Sequence, residues 1–315
     1  MLSVRSHQAR CIWPMTAALG EGPVWIDDEA ALYCVDILGA TIFRYTPATD
    51  QRERCRMPVP ITTVVPTWTG DLLCAGHRDI YRFDPRAGTL SLLRHVLDTD
   101  ALRINDGCCD SRGAFWFGTM DLAEREPAGD FYRLAADGAC ERISASFVIT
   151  NGPAFSARTD TGYFVDTVGR RILRTKLGSN DPFALRQFAL IAEDQGYPDG
   201  IAVDAEGGVW CAHFGGARVT RFDAAGRVTD VIHLPVSNVT KCAFGGEHLD
   251  RLFITTARKG LGEDALASQP LAGGLFVAEV GRRGVAASRY RGAAMAGETT
   301  SRTCFFESSQ GIVTS

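Results

Sequence analysis

Four short polar clusters could each offer oxygen atoms to a ligand: Glu21-Gly22-Pro23, Asn105-Asp106-Gly107, Asn151-Gly152-Pro153 and Asp199-Gly200-Ile201. Singly, each is an ordinary turn former, because Gly, Pro, Asn and Asp dominate tight turns. Their placement sets them apart. Asn105 lies five residues before Asp110 in DSRGAFW, and Asp199 lies five before Asp204 in DAEGGVW. Asn151 and Glu21 hold the matching places in NGPAFSARTDTGYF and EGPVWIDDEAALY. Thr62 or Thr63, and Thr240, are weaker counterparts. Equivalent points of a closed repeat converge on its axis, so these side chains should meet. Crowded carboxylates repel or take up protons unless a cation lies among them. Glu21, Asn151 and Asp199 together make an all-oxygen donor set with two negative charges. Such a set suits one divalent ion, Ca²⁺, Mg²⁺ or Mn²⁺, and takes Zn²⁺ or Fe²⁺ less selectively. Other chemistry is missing. The six histidines show no HExxH or HxxxH spacing, and the chain has no GxSxG elbow, Walker loop or complete GxGxxG. KGLGED near Lys259 lacks the third glycine, and adjacent Cys108 and Cys109 read as packed thiols.

The elements that must position these residues are strands. Short runs rich in Val, Ile, Phe, Tyr and Thr alternate with Gly, Asp, Asn and Pro, with no long stretch at helical spacing. ALYCVD from Ala31, LLCAG from Leu72, AFWFG from Ala114, GYFVD from Gly162, GVWCAH from Gly208 and RLFITT from Arg251 recur every 41–48 residues. A second run follows most of them, as in TIFRYTP from Thr41 and IYRFDP from Ile80. A 40–50-residue period holding about four short strands is the mark of a β-propeller blade. The expected fold is all-β, a six-bladed propeller over residues 1–291 with a metal site on its axis. Residues 292–315, small and polar, read as a poorly ordered tail outside it. The segment Ala9–Pro14 is placed to pair with the last blade and close the ring.

The composition of the 315 residues agrees: 45% hydrophobic, 22% charged and a formal net charge of −4. That balance excludes disorder, and it lacks the basic footprint of a nucleic-acid binder or of a protein drawn to an anionic membrane. No run of 18 apolar residues could span a bilayer, and the first twenty residues lack the apolar core of a secretory leader. Ten cysteines without a CxxC pair point to free thiols and a cytoplasmic location.

The motifs LGEGPVW, RINDG, FWFGTM, TNGPAFS, YPDGIAVD and TTARKGL, spread in order from Leu19 to about Val280, resemble the senescence-marker-protein/gluconolactonase or regucalcin-like family. TTARKGLGEDALASQPLAGGLF is similar to its bacterial sugar lactonase branch. The resemblance implies a six-bladed propeller with one divalent metal and hydrolysis of a sugar lactone such as a xylono-, arabinono- or gluconolactone. By position it implies Glu21, Asn151 and Asp199 as metal ligands and Asp199 as general base. It also implies Arg103 and Asn105 as substrate-binding residues, with either Asp121 or Glu124 contacting substrate hydroxyls. The expected chemistry is polarisation of the lactone carbonyl by the metal, with a proton taken from water by Asp199. Two other functions remain open at this point: hydrolysis of organophosphates or other esters on the same scaffold, and calcium binding without catalysis.

Overall fold

The recurring apolar runs lack the in–out alternation of a half-exposed strand, and the computed structural model shows why. It describes residues 3–177, 184–292 and 304–308, with backbone alone at 144 and 145. The runs Ala31–Asp36, Leu72–Gly76, Phe115–Asp121 and Thr161–Asp166 are buried along their whole length. Each is the second strand of a blade and is covered by neighbouring blades on both faces.

The strands form six sheets, each built on four antiparallel strands and each adjacent to the next around a ring. Blade one holds Gly20–Ile26, Ala31–Asp36, Thr41–Thr46 and Gln51–Arg56. The innermost strands of the other blades are Ile61–Pro66, Leu102–Cys109, Thr150–Ser156, Tyr197–Val203 and Val239–Gly245. Blade six takes its fourth strand from the N-terminal segment: Arg10–Trp13 pairs antiparallel with Leu275–Glu279 and closes the ring. Arg5–Gln8, just before it, runs parallel to Val228–His233 on the outside of blade five. One segment thus fastens two blades.

Aromatic side chains fill the wedges between blades. Trp25 stacks on Phe253 across the one–six seam, Phe131 meets Phe164 between three and four, and Trp210 meets Phe244 between five and six. Trp210, Phe131, Phe164 and Phe253 are almost wholly buried. Burial of such side chains stabilises by about 1.5–3 kcal/mol each. None of the ten cysteines is joined in a disulfide. No described helix is long and apolar enough to cross a membrane.

After Leu275–Glu279 the chain crosses one end of the central channel. Gly284 N–H donates to Leu249 O, Tyr290 N–H to Pro66 O, and Arg291 N–H to Gly113 O, which ties the crossing to blades six, two and three. Val285–Ser288 line a small cavity there, beneath Pro23, Cys108 and Lys241. That end is therefore covered. Of the tail expected at 292–315, residues 293–303 and 309–315 lie outside the described residues. Cys304–Ser308 do not lie apart from the propeller, because a Cys-Phe-Phe run has apolar surface to bury. Glu307–Ser308 pairs with blade one's outer strand, and Phe306 packs between Tyr33 and Phe83 with ring centroids 5.9 and 6.3 Å away. Phe306→Ala is expected to lower unfolding stability by about 1–3 kcal/mol in urea titration, less than for a fully buried ring. A change under 0.5 kcal/mol would mean the contact contributes nothing.

Candidate active site

The innermost strands are irregular at one shared level. Register shifts fall between Glu21 and Val24, Ile61 and Thr63, Ile104 and Gly107, Asn151 and Ala154, Pro198 and Ile201, and Val239 and Lys241. A bulge adds a residue to one strand and re-aims its side chains. Sequence spacing alone presents the polar clusters as turns leading into strands; here the strands run through them. Gly22 and Gly152 take positive φ values of 54° and 73°, which glycine tolerates without strain. The ring of bulges places polar side chains on the axis at the open end of the channel.

Glu21, Arg103, Asn105, Asn151 and Asp199 line one cavity of about 380 Å³. That volume lies in the small-ligand range. All five are at most 8% exposed. Asn151 is held on both sides. Its Nδ2 donates to Thr167 Oγ1 at 2.9 Å, and its Oδ1 accepts from Asn105 Nδ2 at 3.0 Å. Asn105 Nδ2 also donates to Thr150 O at 2.7 Å, so its amide hydrogens are spent on blade four while its Oδ1 has no partner among the described residues. Arg103 has one such bond, from Nη1 to its neighbour's carbonyl at Ile104, 3.2 Å away. Its other donors are open to a ligand.

The counterparts in blades two and six do other work. Thr63 Oγ1 donates to Gly107 O, tying blade two to blade three. Thr240 Oγ1 donates to Gly20 O at 2.6 Å, which holds the one–six seam. Asp121 does not line the cavity. Its Oδ2 accepts the N–H groups of Arg125 and Glu126 at 2.9 and 3.0 Å, and these bonds hold its carboxyl below the usual range. Glu124, on the turn that Asp121 caps, does line the cavity and pairs with Lys259.

Sequence spacing misses three residues. Lys241, next to Thr240 in the bulge of blade six, forms a buried ion pair with Asp106 beneath the cavity. Gly200 lets it pass, since a Cβ there would collide with the Lys241 stem. Asp106 Oδ2 also accepts Gly152 N–H at 3.0 Å. Lys259 and Tyr197 also line the cavity, and Tyr197 carries the Arg170 guanidinium 3.9 Å from its ring centroid. The signal for Lys241 was present, as the one ammonium at a bulge position, but its partner is 135 residues away.

Electrostatics test whether these residues suit a cation. Burial, then Asp106, raise Glu21 to about 7, although Lys241 and Arg103 pull it back. Burial, then Glu21 and Asp106, raise Asp199 well above the usual carboxylate range. Burial brings Arg103 down to about 10 against the pull of Glu21, Glu124 and Asp199. Lys241 is depressed by burial but raised further by Asp106 and Glu21. Its Nζ is bound to Asp106, so it offsets the charge of Glu21 and Asp199 only in part. Two such carboxylates and the amide oxygen of Asn151 fit a hard divalent ion. Among the described residues no cluster of three or more His, Cys, Asp or Glu side chains could hold a metal, so any such site depends on the amide.

A ring of six blades with an oxygen-lined cavity on its axis defines a propeller of the single-site kind, in which several blades feed the same spot. Comparison with known proteins identifies which kind. Residues 19–258 match the family model described as SMP-30/Gluconolactonase/LRE-like region, and the chain belongs to that family. It is 37% identical to an L-arabinolactonase of Azospirillum brasilense over 90% of this chain and 96% of that one. It is 32% identical to a 6-deoxy-6-sulfogluconolactonase of Pseudomonas putida over 90% of this chain and 98% of that one. A solved calcium-binding regucalcin from Agrobacterium tumefaciens superposes with a TM-score of 0.87 at 28% identity, covering 92% of this chain and 100% of that one.

Proposed function

We propose that this protein is a carboxylic-ester hydrolase that opens a sugar lactone to its hydroxy acid with the help of one divalent cation. One observation carries the reading: donors from blades one, three, four and five meet in a single small cavity that also holds a guanidinium with unspent N–H groups. The lactonase names of relatives that align over nearly their whole length support the substrate class.

Glu21, Asn151 and Asp199 would hold the cation, which supplies Lewis acidity to the lactone carbonyl. The protein's own groups account for the rest. Water attacks the acyl carbon and its oxygen forms the new bond. Asp199, buried in the cavity wall and ionised once the cation offsets its repulsion from Glu21, would accept a proton from that water. The ring C–O bond then breaks, and the proton passes to the departing ring oxygen, leaving a hydroxyl and a carboxyl group. Arg103 directs its open N–H donors at the developing oxyanion. Asn105 cannot share that task, because its amide hydrogens are committed, so its oxygen accepts a substrate hydroxyl.

Protein stripped by a chelator and dialysed is expected to lose at least 95% of its lactone turnover in a pH-indicator assay. Restoring one equivalent of a divalent ion should recover it and raise the melting temperature. Equal turnover before and after stripping would refute the role of the cation. Failure of every pentono- and hexonolactone with each metal would refute the substrate class. Turnover of phosphotriesters with no turnover of lactones would move the protein to another reaction on the same scaffold.

A further inference from the structure

We propose that Lys259, paired with Glu124 over the mouth of the cavity, limits the size of the lactone that the site admits; the inference rests on the lactonase reading above. Two ion pairs join blades three and six, which stand opposite each other in the ring. Asp106–Lys241 is buried under the cavity, with both side chains at most 7% exposed. Glu124–Lys259 is half-exposed, and both of its residues line the cavity. One pair forms a floor and the other a bar across the opening.

Both mountings of the bar are built. On blade three, Glu124 N–H donates to Asp121 O at 3.1 Å, while the Asp121 carboxylate caps the next two N–H groups. This turn holds Glu124 at φ 57°, a left-handed conformation that a non-glycine residue keeps only when its surroundings impose it. On blade six, Lys259 N–H donates to Ala18 O at 2.9 Å, and Lys259 O accepts from Asn238 Nδ2 at 2.8 Å. Asp121 is thus a positioning residue for Glu124, as Asn238 is for Lys259.

A half-exposed ion pair is worth about 0–1 kcal/mol, so the bar is no stability device. Its position gives it a use. A single-ring lactone fits beneath it and can offer hydroxyls to both charges, as donor to the Glu124 carboxylate and acceptor from the Lys259 ammonium. A second sugar ring attached to the lactone would have to pass where the bar lies. The bar therefore favours compact, neutral, hydroxyl-rich lactones over glycosylated ones.

The test compares kcat/KM for a pentonolactone and a disaccharide aldonolactone in wild type, Lys259→Ala and Lys259→Arg, each metal-loaded and checked by thermal melting. In Lys259→Ala the ratio of disaccharide to pentonolactone should rise at least fivefold, chiefly through KM, whereas Lys259→Arg should keep the wild-type ratio. An unchanged ratio in Lys259→Ala would overturn the proposal. So would an equal loss on both substrates, which would place Lys259 in the chemistry instead of at the entrance. If wild type opened neither lactone, the lactonase reading would fail on its own; the bar would then be judged by the same fivefold criterion on calorimetric affinities for the two lactones.

Discussion

Asp199→Asn is expected to reduce kcat for lactone opening by about 10²–10⁴, the usual contribution of a positioned general base, while the protein folds as before. The substitution keeps the shape and removes a charge. Asp199 is only 7% exposed, and burial together with Glu21 and Asp106 already pushes it towards its neutral form. A neutral amide therefore relieves repulsion in the cation-free protein, whose melting temperature should stay level or rise. In the same variant the thermal shift on adding a divalent ion should shrink, since one of two charged donors is gone. These readouts separate roles that a rate alone confuses. Lost activity with a full thermal shift would assign Asp199 to proton transfer alone. Lost activity through unfolding would show a structural residue, and retained activity would remove Asp199 from the mechanism.

The strands were legible because burial on both faces writes itself as unbroken apolar runs. ALYCVD, AFWFG and GYFVD need no partner to be recognised, and their period counts the blades. Equivalence between blades was legible through the turn at their far end. Asp110 and Asp204 each accept the indole N–H of the tryptophan six residues on, Trp116 and Trp210, at 2.8 and 2.9 Å. That shared construction is why counting back five residues from each reaches Asn105 and Asp199, which line one cavity.

Other features lie outside local pattern. A bulge is a relation between two strands, so the register shift at Glu21–Val24 leaves no periodicity in either. Asp121 and Glu124 are both acidic and close in sequence; which one reaches the cavity depends on the turn that Asp121 itself caps. Ion pairs such as Asp106–Lys241 depend on ring closure, because blades three and six meet only across the channel. The parallel strand Arg5–Gln8 is similarly silent: its polar residues pair with the outside of blade five, and Arg5 and His7 both reach the buried carboxylate of Asp230.

The floor pair provides the largest expected effect on stability. Lys241→Met keeps the length of the stem beside Gly200 but leaves Asp106 under the cavity without its cation. Breaking a buried pair from one side costs about 3–5 kcal/mol, because the remaining charge is stranded. Here the loss should lie at the upper end, since Lys241 also offsets Glu21 and Asp199. The double variant Asp106→Asn, Lys241→Met should recover most of it, as neutral replacements of a buried pair are often tolerated. Asp106 also accepts Gly107 and Gly152 N–H groups, which an asparagine oxygen can still serve only in part, so recovery should fall short of complete. A divalent ion should narrow the gap between Lys241→Met and wild type, because the extra negative charge strengthens its binding to the folded state. Urea titrations of wild type, Asp106→Asn, Lys241→Met and the double variant, with and without the ion, measure each step. Equal losses in the single and double variants would show that Lys241 acts through packing and not through charge.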